Sequence, residues 1–154
     1  MKAKSPSLSE ILKTEVVCPN DTNPMGLLLG GKLVQWMDIA AAICAQSHAE
    51  KICVTASIDN VNFKNSARVG DVITIKARIT RAFNTSMEIF VETHSKNVLS
   101  RENHLINEAY FTFVALDDHG HVTSVAPVQP RTKKEKEQYN HALKRKKNKT
   151  AIKK

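Results

Sequence analysis

One carboxylate stands out by its surroundings. Asp38 sits in the run Leu33, Val34, Gln35, Trp36, Met37, Asp38, Ile39, Ala40, Ala41, Ala42, Ile43, Cys44, Ala45, and it is the only charged side chain between Lys32 and His48. Burying an aspartate in such a run is costly without a partner, and desolvation raises its pKa above the ~3.9 of an exposed Asp, which makes it a stronger base. Just upstream, three of the five glycines, Gly26, Gly30 and Gly31, fall within six residues and lead directly into the apolar run. The unpaired N–H groups that open a helix, reinforced by its dipole, suit a carbonyl oxygen that gains negative charge, and glycine lets a substrate approach the backbone. Asn23 precedes them with an amide able to orient a water or a carbonyl. Plainer readings stand beside these: Asp38 as a polar residue satisfied by Gln35 or by a neighbouring chain, and Asn23 as a turn former or cap.

The elements that must position these residues follow from periodicity. From Gly31 to about His48 there is no further Gly or Pro, and apolar residues occupy nearly every side, which predicts a helix buried all round. Its many alanines keep it thin enough for a sheet to wrap closely. Glu10 to Val17 reads as a first strand, ended by Pro19 and the Asn20-Asp21 turn, after a polar and frayed Met1 to Ser9. Four strand-like stretches come after the helix. Ile52 to Phe63 alternates and then shifts phase at Val61 and Phe63, which suggests a bulge. Ile73 to Thr80 alternates cleanly after the Gly70-Asp71 turn, Ser86 to Glu92 does the same, and Ala109 to Ala115 runs up to the turn at Asp117 to Gly120. A strand, one long helix and four strands make an α+β domain, most simply one antiparallel sheet around a single helix. With one helix to cover the sheet, its edges are expected to pair across a dimer interface.

Composition narrows the class. At 154 residues, 42% hydrophobic and 25% charged, the chain suits one globular domain. The apolar helical stretch Trp36 to Ala45 is ten residues long, about half of a bilayer span, so no transmembrane segment is expected. Met1 to Leu12 lacks the features of a secretory signal, and Cys18, Cys44 and Cys53 are odd in number and widely spaced, read as reduced core thiols. Both observations predict a cytoplasmic protein. The net charge of +8 is concentrated in one place. Residues 131–154 hold eleven Lys or Arg against two Glu, a net +9, whereas residues 1–130 hold twelve against thirteen acidic groups, a net −1. This divides the chain into a domain over 8–130 and a basic tail over 131–154. In the tail, Thr132 to Lys147 is expected to be weakly helical and the end disordered. Lys144-Arg145-Lys146-Lys147 invites a nucleic-acid or anionic-surface reading, but no aromatic beyond Tyr139 interleaves with the charges, so a solvated tail is the expectation.

Other chemistries fit poorly. The six histidines have no zinc-ligand spacing, so no metal site is expected. Gly26 to Gly31 lacks the Gly-Lys-Ser/Thr ending of a phosphate-binding loop, and no Gly-x-Ser-x-Gly elbow provides a serine nucleophile.

Taken together, Asp21-Thr22-Asn23-Pro24-Met25-Gly26, Gly30-Gly31, Gln35-Trp36-Met37-Asp38-Ile39-Ala40, Asp59-Asn60-Val61-Asn62-Phe63 and Val69-Gly70-Asp71 resemble the hotdog-fold acyl-CoA thioesterases over roughly residues 8–130. The resemblance implies an antiparallel sheet wrapped around one long buried helix, and hydrolysis of acyl-CoA to a free acid and CoA. It implies Asp38 as catalytic base or nucleophile, and Asn23 acting from the opposite subunit. The backbone oxyanion donors would fall at Gly30 and Gly31, and a CoA-contacting segment at Arg81 to Ser86, with Arg81, Thr85 and Ser86 as the binding side chains. Arg68 and Lys64 are weaker candidates for the same task. It further implies a homodimer that assembles to a higher oligomer, a hexamer being one form, with no cofactor beyond the CoA of the substrate. Leu29 and Leu27 depart from residues common in the family beside the acyl site, which bears on substrate choice. The competing reading is a non-catalytic CoA- or anion-binding protein that uses the basic tail.

Overall fold

The computed structural model describes residues 1–153, and side chains through Ile152. In chain order the elements are β1 (Ile11–Val16), α1 (Gly30–Ala49), β2 (Ile52–Phe63), β3 (Val72–Ala82), β4 (Ser86–Lys96), β5 (Asn103–Leu116) and α2 (Lys133–Lys153), with short 3-10 turns at Pro6–Leu8 and Pro19–Asp21. The five strands form one sheet in the order β1-β3-β4-β5-β2, antiparallel at every pairing.

Period-2 alternation aims one row from each strand at α1. Ile73, Ile75, Ala77 and Ile79 of β3, Ile89 and Val91 of β4, and Phe111 and Phe113 of β5 join one buried cluster with Leu33, Trp36, Met37, Ala40, Ala41, Cys44 and Ala45 of α1. The alanines of α1 serve twice, as strong helix formers and as small residues that let the sheet close on the helix. The helix ends where Glu50 turns left-handed (φ 54°) and donates its N–H to Gln46 O at 2.8 Å.

Several expectations need correction. α1 is not buried all round: the sheet covers one face, while Gln35, Ile39, Ile43 and Gln46 on the other are exposed in the single chain. Met1 to Ser9 is not frayed throughout, because Lys4 pairs with the 127–129 segment through its backbone, Lys4 Nζ donates to His48 O, and Ser5, Pro6 and Ser9 are buried. Cys44 and Cys53 are buried core thiols, but Cys18, beyond the end of edge strand β1, is exposed.

The basic segment is neither solvated throughout nor disordered at residues 148–153. It forms α2 across the sheet face opposite α1, because that face offers it partners: Ala142 and Glu135 are buried, and Arg145 forks onto the carboxylate of Glu88 at 2.7 and 2.9 Å while lying 3.9 Å from the Tyr110 ring centre. A helix made of such polar residues is marginal alone and is held by these tertiary contacts.

β2 has two register irregularities, between Thr55 and Ser57 and between Asp59 and Asn62. The first changes which way the strand presents its side chains. Thr55 reaches α1, whereas Ser57 and Asp59 reach Lys149 of α2 on the other face.

Candidate active site

The site is built where the loop before α1, the first turn of α1 and edge strand β2 meet. Asn23 organises the loop. Its Oδ1 accepts from the N–H groups of Met25 (2.9 Å) and Leu27 (3.1 Å), and its own N–H and C=O bond Leu27 O and Gly26 N, both at 2.9 Å. Gly26 sits at φ +76°, a conformation that side chains rarely adopt. Asn23 is therefore a turn former through its oxygen. Its amide nitrogen has no protein partner among the described residues and remains a donor.

Leu29 precedes α1 in extended conformation, caps nothing with its side chain, and donates its N–H to Asp21 O at 2.9 Å. Gly30 and Gly31 are the first two helical residues. Their N–H groups have no acceptor one turn back, so two donors and the positive end of a helix dipole converge there. Gly30 and Gly31 are both exposed. A Cβ on Gly30 would lie 3.4 Å from Phe63 Cζ, so the ring of Phe63 lies against this first peptide and a side chain there would press on it.

Asp38 is half-buried on the same helix. Its partner is not Gln35: Thr55 Oγ1 donates to Asp38 Oδ1 at 2.8 Å, and no other protein donor reaches the carboxylate among the described residues. The second oxygen is left for a ligand or a water. Thr55 escapes a sequence reading because a threonine in a strand looks like an ordinary β-former, and only the fold reveals that it faces the carboxylate.

Helix geometry then sets a constraint. Asp38 is eight residues beyond Gly30, and at ~1.5 Å per residue the two lie about 12 Å apart along the axis. An oxyanion donor must come within about 3 Å of the carbonyl oxygen, and a base within hydrogen-bond reach of a water poised at the same carbonyl carbon. Asp38 and the Gly30–Gly31 amides of one chain are therefore set well apart along α1.

The segment from Arg81 to Ser86 makes contacts within the chain that the sequence does not signal. Arg81 donates to Tyr139 O at 3.1 Å and stacks on the Tyr139 ring at 3.9 Å, so its guanidinium holds α2. Thr85 contributes its carbonyl to Ala115 N. Ser86 Oγ accepts from Lys146 Nζ at 3.4 Å, a cation supplied by α2. Lys64 pairs with Glu108 at 3.4 Å, and the Arg68 backbone N–H is held by Asp71. Among the described residues no group of three or more His, Cys, Asp or Glu side chains is arranged to hold a metal ion.

The family model of the thioesterase superfamily matches residues 25–100. Over 137 residues the chain is 36% identical to an uncharacterized acyl-CoA thioester hydrolase of Bacillus subtilis, covering 89% of this chain and 80% of that one. It is 37% identical over 138 residues to an acetyl-coenzyme A thioesterase of Mus musculus, covering 90% of this chain and 25% of that one, so it spans about a quarter of the mouse protein. Among solved structures it superposes on an apo-hexameric acyl-CoA thioesterase with TM-score 0.95 and 39% identity, covering 99% and 97% of the two chains.

Proposed function

The chain belongs to the thioesterase superfamily, and from that premise we propose that it hydrolyses acyl-CoA thioesters to a free carboxylic acid and CoA. The observation that carries the reading is the Asp38–Thr55 pair: a half-buried carboxylate held by one hydroxyl, with an oxygen to spare, on a helix whose start offers exposed, unpaired amides.

In the base route Asp38 takes a proton from water as the water oxygen bonds to the thioester carbon. Negative charge moves to the carbonyl oxygen, where the Gly30 and Gly31 N–H groups hold it. The intermediate collapses, the C–S bond breaks, and CoA leaves as a thiolate that recovers the proton. A thiol of pKa near ~8.5 leaves without further assistance, so the step calls for no cofactor. In the nucleophile route the Asp38 carboxylate attacks the carbon itself, the C–S bond breaks to release CoA thiolate and leave a mixed anhydride, and water then opens that anhydride to the free acid, restoring the carboxylate and giving its proton to the thiolate.

The separation of Asp38 from Gly30 along α1 supports a site shared between two chains, with Asp38 from one protomer and Asn23, Gly30 and Gly31 from its partner. The open face of a single chain supports the same assembly. Ile39 and Ile43 of α1, and Ile58 of the unpaired edge strand β2, which pairs with Phe111 and so lies on the α1 side of the sheet, are all more than a third exposed, a pattern that marks an interface between proteins. We read the protein as a homodimer that assembles further, as in the hexameric neighbour. The three free thiols support a cytoplasmic setting. Release of free CoA thiol from short, medium and long acyl-CoA substrates tests the reading. Hydrolysis is the expected result, and binding without thiol release would replace it with a non-catalytic role.

A further inference from the structure

Beneath the N-terminal half of α1 the core holds two oxygens that nothing meets. Asn107 of β5 and Thr93 of β4 are fully buried, and Asn107 Oδ1 and Thr93 Oγ1 have no hydrogen-bond partner among the described residues. Such atoms are rare, because each loses its hydration without compensation. Valine in place of Thr93, or leucine in place of Asn107, would fill the same space without that loss. Two unmet oxygens on neighbouring strands point to a polar ligand atom that both can reach.

Their place in the sheet ties them to the site. Thr93 pairs with Asn107 across β4 and β5, and Asn107 with Phe63 across β5 and β2, so the three share one face in one row, with ~4.8 Å from strand to strand. That face is the one α1 covers. Asn107 Nδ2 donates to Met37 Sδ at 3.1 Å, and Met37 immediately precedes Asp38. At the β2 end the Phe63 ring lies against Gly30, and Phe63 is 52% exposed. The row therefore starts, open to solvent, beside the amides that would hold a thioester oxygen, and runs inward to the two unmet oxygens.

The free groups are neutral. Asn107 Oδ1 accepts, and the Thr93 hydroxyl both donates and accepts. The row continues through Ile75 of β3 to Lys13 of β1, and Lys13 is paired with Glu15 at 2.6 Å, so it offers no free cation and would strand a carboxylate. A hydroxyl that donates to Asn107 Oδ1 and accepts from Thr93 satisfies both at once.

On the hydrolase reading, we propose that Asn107 and Thr93 determine substrate choice: the acyl group enters past Phe63, and the preferred acyl-CoA is short and carries a hydroxyl on its chain. A long apolar chain would lie against both unmet oxygens and is disfavoured.

Turnover and binding test this separately on the full chain. When kcat/KM for 3-hydroxybutyryl-CoA and 4-hydroxybutyryl-CoA is compared with that for butyryl-CoA, wild type is expected to favour at least one hydroxylated substrate by about tenfold or more. Thr93→Val and Asn107→Leu should each lower that ratio about tenfold, with kcat/KM for butyryl-CoA kept or raised and circular dichroism unchanged; the isosteric Thr93→Val keeps the test decisive if Asn107→Leu does not fold. Calorimetric titration with S-butyl-CoA and the S-(3-hydroxybutyl) and S-(4-hydroxybutyl) thioethers, which resist hydrolysis, reads the same preference without turnover. Tighter binding of a hydroxylated thioether with no hydrolysis of any thioester supports the pocket and removes the hydrolase reading instead. No preference for a hydroxyl in wild type, as when the two oxygens share only a trapped water, or a preference unchanged in the folded variants, overturns the proposal.

Discussion

Thr55 Oγ1 donates a 2.8 Å hydrogen bond to Asp38 Oδ1, and this contact ties edge strand β2 to the middle of α1. It fixes one carboxylate oxygen and leaves the other to the substrate side. The irregularity immediately after Thr55 brings Ser57 and Asp59 round to Lys149 of α2, so the same local feature serves both faces of the sheet.

Thr55→Val is expected to reduce kcat by about 10–100-fold, the scale of losing orientation of a general base, while Thr55→Ser restores most of it. Because Thr55 is exposed in the single chain, the melting temperature should move little. Steady-state kinetics beside thermal melts check this, and wild-type kcat in Thr55→Val would remove the contact from the mechanism.

Asn23→Asp separates the two uses of Asn23. The carboxylate keeps an oxygen for the Met25 and Leu27 N–H groups, so folding should be retained. The amide donor is lost and a negative charge faces the developing oxyanion, so kcat should fall by about 10²-fold or more. Retained turnover in a folded variant would reduce Asn23 to its part in the loop.

Glu88 is buried and relies on Arg145. Arg145→Ala leaves that carboxylate with the Thr80 hydroxyl alone, without a cation, and should cost about 3 kcal/mol. The C-terminal half of α2 should then become sensitive to protease, which mass spectrometry of limited digests would read.

The architecture was legible where periodicity had one interpretation. The apolar run of α1 and the alternation of β3, β4 and the end of β5 reappear in the structure, as does the bulge in β2. Partners far apart in sequence were not legible. The docking of α2 depends on Glu88, Tyr110 and Phe83, on three different stretches of chain, and nothing local in a lysine-rich segment signals them. Arg81 illustrates the same limit, since nothing local signals that its guanidinium bonds Tyr139 O, 58 residues later. The motif around Asp38 gave away the carboxylate but not Thr55, which only the β2 register brings to it.

His48 predicts a pH dependence of stability. The ring is buried, its Nε2–H donates to Ala126 O at 2.7 Å, and Nδ1 is buried with no protein partner. Burial holds its pKa below the ordinary 6.5; the bond to Ala126 pulls upward and the charge of Lys4 pushes down. The unfolded chain takes up a proton as pH falls through 6.5 while the folded chain does not, so this contribution is whole above that pH. It is lost as pH falls toward the folded-state value, with a slope of up to about 1.4 kcal/mol per pH unit. Denaturant titrations across this range should show the slope in wild type and a flatter profile in His48→Gln; equal slopes would refute it.

The central claim is that Asp38 performs the chemistry, and the most direct test is release of CoA thiol by Asp38→Asn, measured on protein whose fold and oligomeric state match wild type. Turnover is expected to fall by about 10²–10⁴-fold with stability unchanged or slightly raised. Wild-type turnover in that folded variant would contradict the account.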